Sequence, residues 1–405
     1  MQDSSTLNPK AARRTIFLIC FAFFAAGLTT ASLSPLLPLL AKRLDVELSL
    51  LGSIFTTFSA GIIASQVSMG LAYQKLGQRK TLGLGLICMG FCYLGLVVST
   101  SFVLLSFASL IAGFGFGALL ATGNRMVAQL FPERSTSLLN IVNLFFGIGS
   151  IIGPALASAI DRSIGFPQAA LISGSISLVM VGLVIPFGAL EATNAPAPTL
   201  PRTPRRFRPS PSGILFGILL LLYTGSEIGF ASWLIVYLKQ AVNMLEADGA
   251  LLLSGFWIAL TAGRAIAAAL GIHISISRIL TFSLLGMAAG CAILLLGVGN
   301  LMLTIAGVLL FGLSCGPLFP TVLAVVNSPA YSANTASLVL AISNIGGLVL
   351  PAMLGFVLDD FGPFAQISVI LAAVVLMIVF KQQAFQQFRH LQAANKQEMT
   401  AQDQH

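Results

Sequence analysis

Charged residues are scarce in this chain. They make up 8% of its 405 residues, against about 25% in an ordinary soluble domain. A water-soluble core of this size would need a charged shell that the sequence does not have. Histidine is nearly absent: His273, His390 and His405 are too few and too dispersed for a metal cluster. No Ser–His–Asp or Cys–His arrangement is placed to support hydrolysis. No Walker-type phosphate loop is present, which excludes ATP as the energy source. The five cysteines, Cys20, Cys88, Cys92, Cys291 and Cys315, all lie in apolar stretches. Their odd number and spacing do not form a disulfide framework. Cys88 and Cys92 share a helix face, yet two thiols without His or carboxylate make a poor metal site, and packing is the simpler use. We therefore expect no enzyme: no catalytic residues, no metal and no cofactor.

What the chain has instead is apolar length. Hydrophobic residues make up 57% of it, grouped into segments of about 20 residues, the length that crosses a bilayer. Six precede and six follow a basic, proline-rich stretch at Glu191–Ser212. The expected fold is an all-α membrane protein of twelve transmembrane helices in two pseudo-symmetric six-helix bundles. The first bundle is expected over 1–190, a linker over 191–212, the second bundle over 213–384 and a polar tail over 385–405. The first apolar run continues past signal length into Pro35 and Pro38, so no cleavable leader is read here.

The net charge of +8 could point to nucleic acid, but its placement does not. Counting alternate crossings, the outer side holds only Lys42, Arg43, Arg162 and Lys239. The remaining Lys and Arg fall on the inner side, apart from Arg125 and Arg264 inside helices. That asymmetry predicts a multi-pass protein of the cytoplasmic membrane with both termini and the linker in the cytoplasm. The expected partners are membrane lipids and a small-molecule substrate, with no nucleic acid and a monomeric state.

The halves repeat at an offset of 197 residues. Phe114-Gly115-Phe116 falls on Phe311-Gly312-Leu313, and Gly147-Ile148-Gly149…Pro154 falls on Asn344-Ile345-Gly346…Pro351. Internal repeats with a site near the bilayer midplane are typical of secondary transporters.

Two motifs then carry a family resemblance. Gly70-Leu-Ala-Tyr-Gln-Lys75-Leu-Gly77-Gln-Arg79-Lys80 resembles the loop signature between the second and third helices of the major facilitator superfamily. Gly149-Ser-Ile-Ile-Gly153-Pro154 resembles that superfamily's fifth-helix motif. Gln74 stands where the loop signature usually has Asp, which puts the usual charge latch in doubt. Three pieces resemble the fucose-permease-like, sugar-porter branch: Tyr223-Thr-Gly-Ser-Glu227…Trp233, Trp257…Gly263-Arg264, and Gly312…Gly316-Pro317-Leu-Phe-Pro320. The resemblance implies a carrier with the major facilitator fold, moving a sugar. It does not carry the coupling mechanism, because the first helix lacks the acid used in that branch. Ser109 also replaces a fourth-helix Arg common among proton-coupled and drug-exporting members.

Among single residues, Glu227 is the sharpest signal, the one acid placed deep within a helix. A charge at the bilayer centre costs about 2.5–3.5 kcal/mol on insertion scales. Such a carboxyl must face water, pair with a cation or take up a proton. Alternating hydration would let it load and release one, or it could simply anchor neighbouring helices. Arg264 is its natural counter-charge, although its depth in the eighth segment argues against a direct pair. Trp257, Thr261 and Arg264 recur at i, i+4 and i+7, one stripe that could face a sugar. Tyr223 lies one turn before Glu227. Asn143 and Asn344 give the fifth and eleventh segments polar faces, and Gln66 does so in the second, each able to bind solute or glue helices. Gating or snorkelling is expected of Arg125 and Asn124. Gating is also assigned to Gly70, Lys75, Gly77, Arg79 and Lys80 in the loop, to Gly153 and Pro154, and to the helix breaks at Pro317 and Pro320. The sequence reading is thus proton-coupled sugar uptake by alternating access. The alternative is a proton-driven exporter of drugs or metabolites, for which the Phe-rich interior speaks.

Overall fold

The computed structural model of the protein describes residues 9–185, apart from 132–134, and 210–402, apart from 272, 329–330 and 332. Most of the linker expected over 191–212 therefore lies outside the described residues. Every regular element described is helical. In hydrocarbon each backbone N–H and C=O must be satisfied within the protein, and a helix does this within one segment.

The first half runs α1 (Pro9–Ala31), a 3-10 turn (Ser34–Leu36), α2 (Leu37–Leu44), the short α3 (Leu48–Leu51) and the long α4 (Ser53–Val98). It continues with α5 (Phe102–Ala118), a π-turn (Leu119–Gly123), α6 (Asn124–Leu130), α7 (Ser135–Ile164) and α8 (Gln168–Val184). The second half has α9 (Pro211–Val242), α10 (Glu246–Leu270), α11 (Ile276–Leu296), α12 (Leu301–Cys315), α13 (Leu318–Val326) and α14 (Ala333–Gln402). The breaks follow the sequence. Pro35 and Pro38 open the 3-10 turn and α2, where a missing N–H costs nothing. Pro317 separates α12 from α13. Gly77 interrupts α4 with φ 72° and ψ 163°, and Gly362 interrupts α14 with φ 80°. Only glycine takes such angles without strain, so each long helix is two helices joined at a glycine.

Among the described residues nine helical stretches are long and apolar enough to cross a membrane, and the apolar α8 is shorter. Large apolar side chains point outward without a protein partner, for example Val67 (81% exposed), Val103 (75%) and Met302 (73%). In water that surface would drive aggregation; against lipid it is the expected outer face.

The chain divides into two compact units: Met1–Arg202 with Glu246–Ser254, and Thr203–Leu245 with Gly255–His405. Within the first, α1 lies along α7, where a side chain on Gly149 would overlap the carbonyl oxygen of Phe24. Within the second, α9 lies along α14, where a side chain on Gly346 would overlap the carbonyl oxygen of Leu221. Both partners of the second contact stand 197 residues after those of the first. The repeat read in the sequence is therefore a repeat of backbone contacts.

Candidate functional site

Glu227 lies midway along α9 in the second unit, its side chain only 12% exposed. The neighbouring turns are apolar or aromatic: Phe230 packs edge-on against Phe256 of α10 and Phe311 of α12, with ring centroids 5.7 and 4.9 Å away. Against that background a carboxylate needs a counter-charge. Arg264 of α10 supplies it, with Nη2 3.7 Å from Glu227 Oε1. Two unit charges about 4 Å apart attract by about 4 kcal/mol at an effective dielectric of about 20, comparable with the insertion cost of either charge alone. Depth in the helix had argued against a direct pair. Arginine's side chain reaches further than a helical turn of about 5.4 Å, so a step of one turn does not keep the charges apart.

Arg264 is held there by backbone packing between α10 and α12. A side chain on Gly316 would overlap the Leu260 carbonyl and stand 2.8 Å from the Arg264 backbone nitrogen. A side chain on Gly263 would overlap the Leu313 carbonyl. Gly316 directly precedes Pro317, so the close approach and the helix break share one place.

On the same helices as the pair, Ser226 Oγ of α9 and Trp257 Nε1 of α10 are buried without a hydrogen bond within the protein, as is Arg264 Nε. The Tyr223 hydroxyl, one turn away, is turned toward the Glu227 carboxylate and is its hydrogen-bonding and electrostatic neighbour. Buried polar groups in folded proteins are rarely left unpaired. Cys315, also buried, is a further electrostatic neighbour. The sequence reading missed Ser226 and Cys315. Ser226 could have been found from its place beside Glu227, and Cys315 from the Gly316-Pro317 step that follows it.

The structure brings Tyr223, Glu227 and Arg264 together, and places Trp257 on the Arg264 face of α10. Thr261 Oγ1 is spent on the Trp257 carbonyl at 2.8 Å. Asn344 lies on α14, partly buried and engaged. One residue away, Ser343 Oγ meets Thr224 Oγ1 at 2.7 Å and ties α14 to α9. Asn143 and Gln66 belong to the first unit, and both are exposed. Asn143 donates to its own helix at Leu139 O, 2.8 Å, while Gln66 is engaged by a neighbour.

Of the gating candidates, Arg125 is partly buried and engaged, and the Asn124 amide oxygen is buried without a hydrogen bond. Both follow the π-turn, a distortion frequent at functional sites. Lys75 and Lys80 are exposed, Arg79 is partly buried and engaged, and Gly77 is the break in α4. The surroundings of Gly70 lie outside the described residues. Gly153 lies against the Leu28 carbonyl, Pro154 sits inside α7, and Pro320 sits in the first turn of α13.

The sequence profile of the Major Facilitator Superfamily matches residues 19–351. The chain belongs to the Major Facilitator Superfamily. It is thus a multi-pass integral membrane protein of a transporter superfamily. A curated relative, "Sodium-dependent glucose transporter 1" of Danio rerio, is 22% identical over 378 residues, covering 84% of this chain and 64% of that protein. The chain spans less than two thirds of that relative's length. Among solved structures, the E. coli "Fucose:proton symporter, FucP" superposes with a TM-score of 0.61 at 18% identity, covering 92% of this chain and 99% of that one. A bacterial homologue of the human lysosomal transporter Spinster superposes with a TM-score of 0.70 at 13% identity, covering 95% and 98%. At such identities the likeness is one of fold.

Proposed function

We propose that this superfamily member takes up a small polar solute, a sugar, across the cytoplasmic membrane by alternating access, with proton coupling at Glu227. The observation that carries the reading is the Glu227–Arg264 pair, with its carboxylate buried midway along α9, its guanidinium partly exposed and the Tyr223 hydroxyl beside it. A polyhydroxylated solute both donates and accepts hydrogen bonds. Its hydroxyls match a carboxylate acceptor flanked by phenol, indole and guanidinium donors. The Trp257 ring offers an apolar face for a pyranose; Thr261 and Asn344 are assigned as further solute contacts of the second unit, and Asn143 and Gln66 as solute contacts of the first. A lipophilic cation would be served poorly by a site that already contains Arg264.

The names of the similar proteins divide on the coupling ion, one fucose:proton and one sodium-dependent. A sodium site needs several oxygen ligands, and a guanidinium 3.7 Å from the one carboxylate repels a second cation. A proton has neither requirement. Protonating Glu227 would release Arg264 to a substrate hydroxyl, which links proton and solute at one carboxylate.

Twelve crossings belong to the same reading. They follow if α4 divides at Gly77, α14 divides at Gly362, and α8 also spans. The bias of Lys and Arg along the sequence puts both termini in the cytoplasm, and we assign a monomer. The gating role stays with Arg125, Asn124 and the Gly70–Lys80 loop, and with the breaks at Gly153, Pro154, Pro317 and Pro320. The test is uptake of labelled sugars into proteoliposomes under an imposed pH gradient or an imposed sodium gradient. Accumulation driven by the pH gradient alone is expected. Accumulation driven only by sodium, or extrusion of the solute, would overturn the proton-uptake assignment.

A further inference from the structure

A cavity lies within the second unit, away from Glu227. It has a volume of about 390 Å³ and opens between the first turn of α11 and the last part of α14. Ser277 lines it from α11; Lys381, Phe385 and Arg389 line it from α14 at four-residue spacing, with His390 and two glutamines beside them. No acidic side chain lines it. None of Lys381, Arg389 and His390 forms an ion pair with an acid among the described residues. Three basic groups converge on one concave surface with no carboxylate to balance them.

The cavity is held by packing on both sides. Lys381 Nζ donates to Thr281 Oγ1 at 2.8 Å and lies 5.4 Å from the Phe385 ring centroid, which fixes the ammonium and leaves two of its N–H groups for another acceptor. Phe385 packs edge-on against Phe216 of α9, with centroids 5.4 Å apart, and Phe388 stacks on Tyr331 at 5.4 Å. Tyr331 in turn donates to Ser212 at 2.9 Å. This stretch of α14, expected from the sequence as a polar tail, is thus docked against the unit. The α11 N-terminus has no side-chain cap, so the positive end of its dipole adds to the field at Ser277. Lys381 also directly follows the apolar run Ala372–Phe380, which puts the cavity at headgroup depth.

We propose that this cavity binds a phosphate anion, either the phosphodiester of an anionic lipid headgroup or free phosphate. Lys381 and Arg389 are the principal ligands, and His390 and the start of α11 support them. The site is independent of the transport reading.

The test uses the purified full chain in detergent, with native mass spectrometry of bound phosphatidylglycerol against phosphatidylcholine, and a parallel titration with inorganic phosphate. Phosphatidylglycerol is expected to be retained over phosphatidylcholine. The Lys381→Gln/Arg389→Gln double variant is expected to lose about thirtyfold in affinity, at about one kcal/mol per basic residue near a membrane surface. If inorganic phosphate binds and headgroup preference is absent, the anion site stands and its ligand is the free ion. A second variant, Gln386→Glu, alters an exposed side chain and puts an acid into the cavity; it is expected to weaken binding if the double variant does not fold. Failure to bind inorganic phosphate together with equal retention of the two lipids, or equal binding by wild type and Gln386→Glu, would overturn the proposal.

Discussion

In the first unit Gly149 brings α7 onto α1 at Phe24; in the second, Gly346 brings α14 onto α9 at Leu221. The two contacts are the same contact, shifted by one repeat. The chemistry along the same helices is not repeated. The residue 197 positions before Glu227 is Thr30, whose hydroxyl is satisfied inside its own helix at Ala26 O, 2.7 Å. The ion pair of Glu227 with Arg264 lies in the second unit. The difference separates two kinds of constraint. Backbone overlap admits only glycine and so persists in both units. A buried charge is costly, and it survives only where a partner and a use for it exist.

Replacing Glu227 with Gln is the largest expected blow to the asymmetry between the units. Accumulation driven by a pH gradient should vanish while counterflow of solute persists, because the amide keeps the shape but carries no proton between the two sides. Unchanged accumulation would remove Glu227 from the coupling role and leave the second unit no more chemical than the first.

The scaffold itself can be attacked symmetrically. Gly149→Leu and Gly346→Leu should each destabilise the protein by at least about 1–3 kcal/mol, the usual cost of overpacking. A lowered Tm and reduced folded yield in detergent would register it. If one variant is tolerated and the other is not, the contacts are not equivalent.

Arg264→Gln sharpens the electrostatic side. Truncating one partner of a fully buried pair costs about 3–5 kcal/mol, but the Arg264 side chain is 37% exposed, so the loss should fall below that range. Because Glu227 can take up a proton when it loses its cation, the variant should regain stability as pH is lowered, and a thermal melt at two pH values reads this directly. A loss of Tm that is the same at both values would argue against the charge pairing.

The smallest effect is expected at the silent counterpart. Thr30→Val removes a hydroxyl that bonds only its own helix, so transport should change by less than about twofold and stability by less than about 1 kcal/mol. A large transport defect would mean that the first unit also carries chemistry.

Most of the architecture was legible in the chain because its signals are local. Apolar length, the helix breaks at Pro35, Pro38 and Pro317, and the 197-residue offset are each visible in a short window. The join at Gly77 falls in the loop read between the second and third helices, whereas its backbone angles and those at Gly362 needed the structure. At the site, Glu227 stood out by the rarity of a charge in oil, and Arg264 was named beside it. Their contact was not foreseen, because depth along a helix says little about where a long side chain ends. Ser226 and Cys315 carry no pattern of their own and became site neighbours only when α9, α10 and α12 were packed together.

The sequence by itself determined a helical membrane protein with an internal repeat, because hydrocarbon leaves a chain so poor in charge little other way to satisfy its backbone. Only the tertiary structure decided that Glu227 meets Arg264, and that the docked end of α14 gathers Lys381 and Arg389 around one cavity. Both depend on distances between helices and not on the order of residues along any one helix.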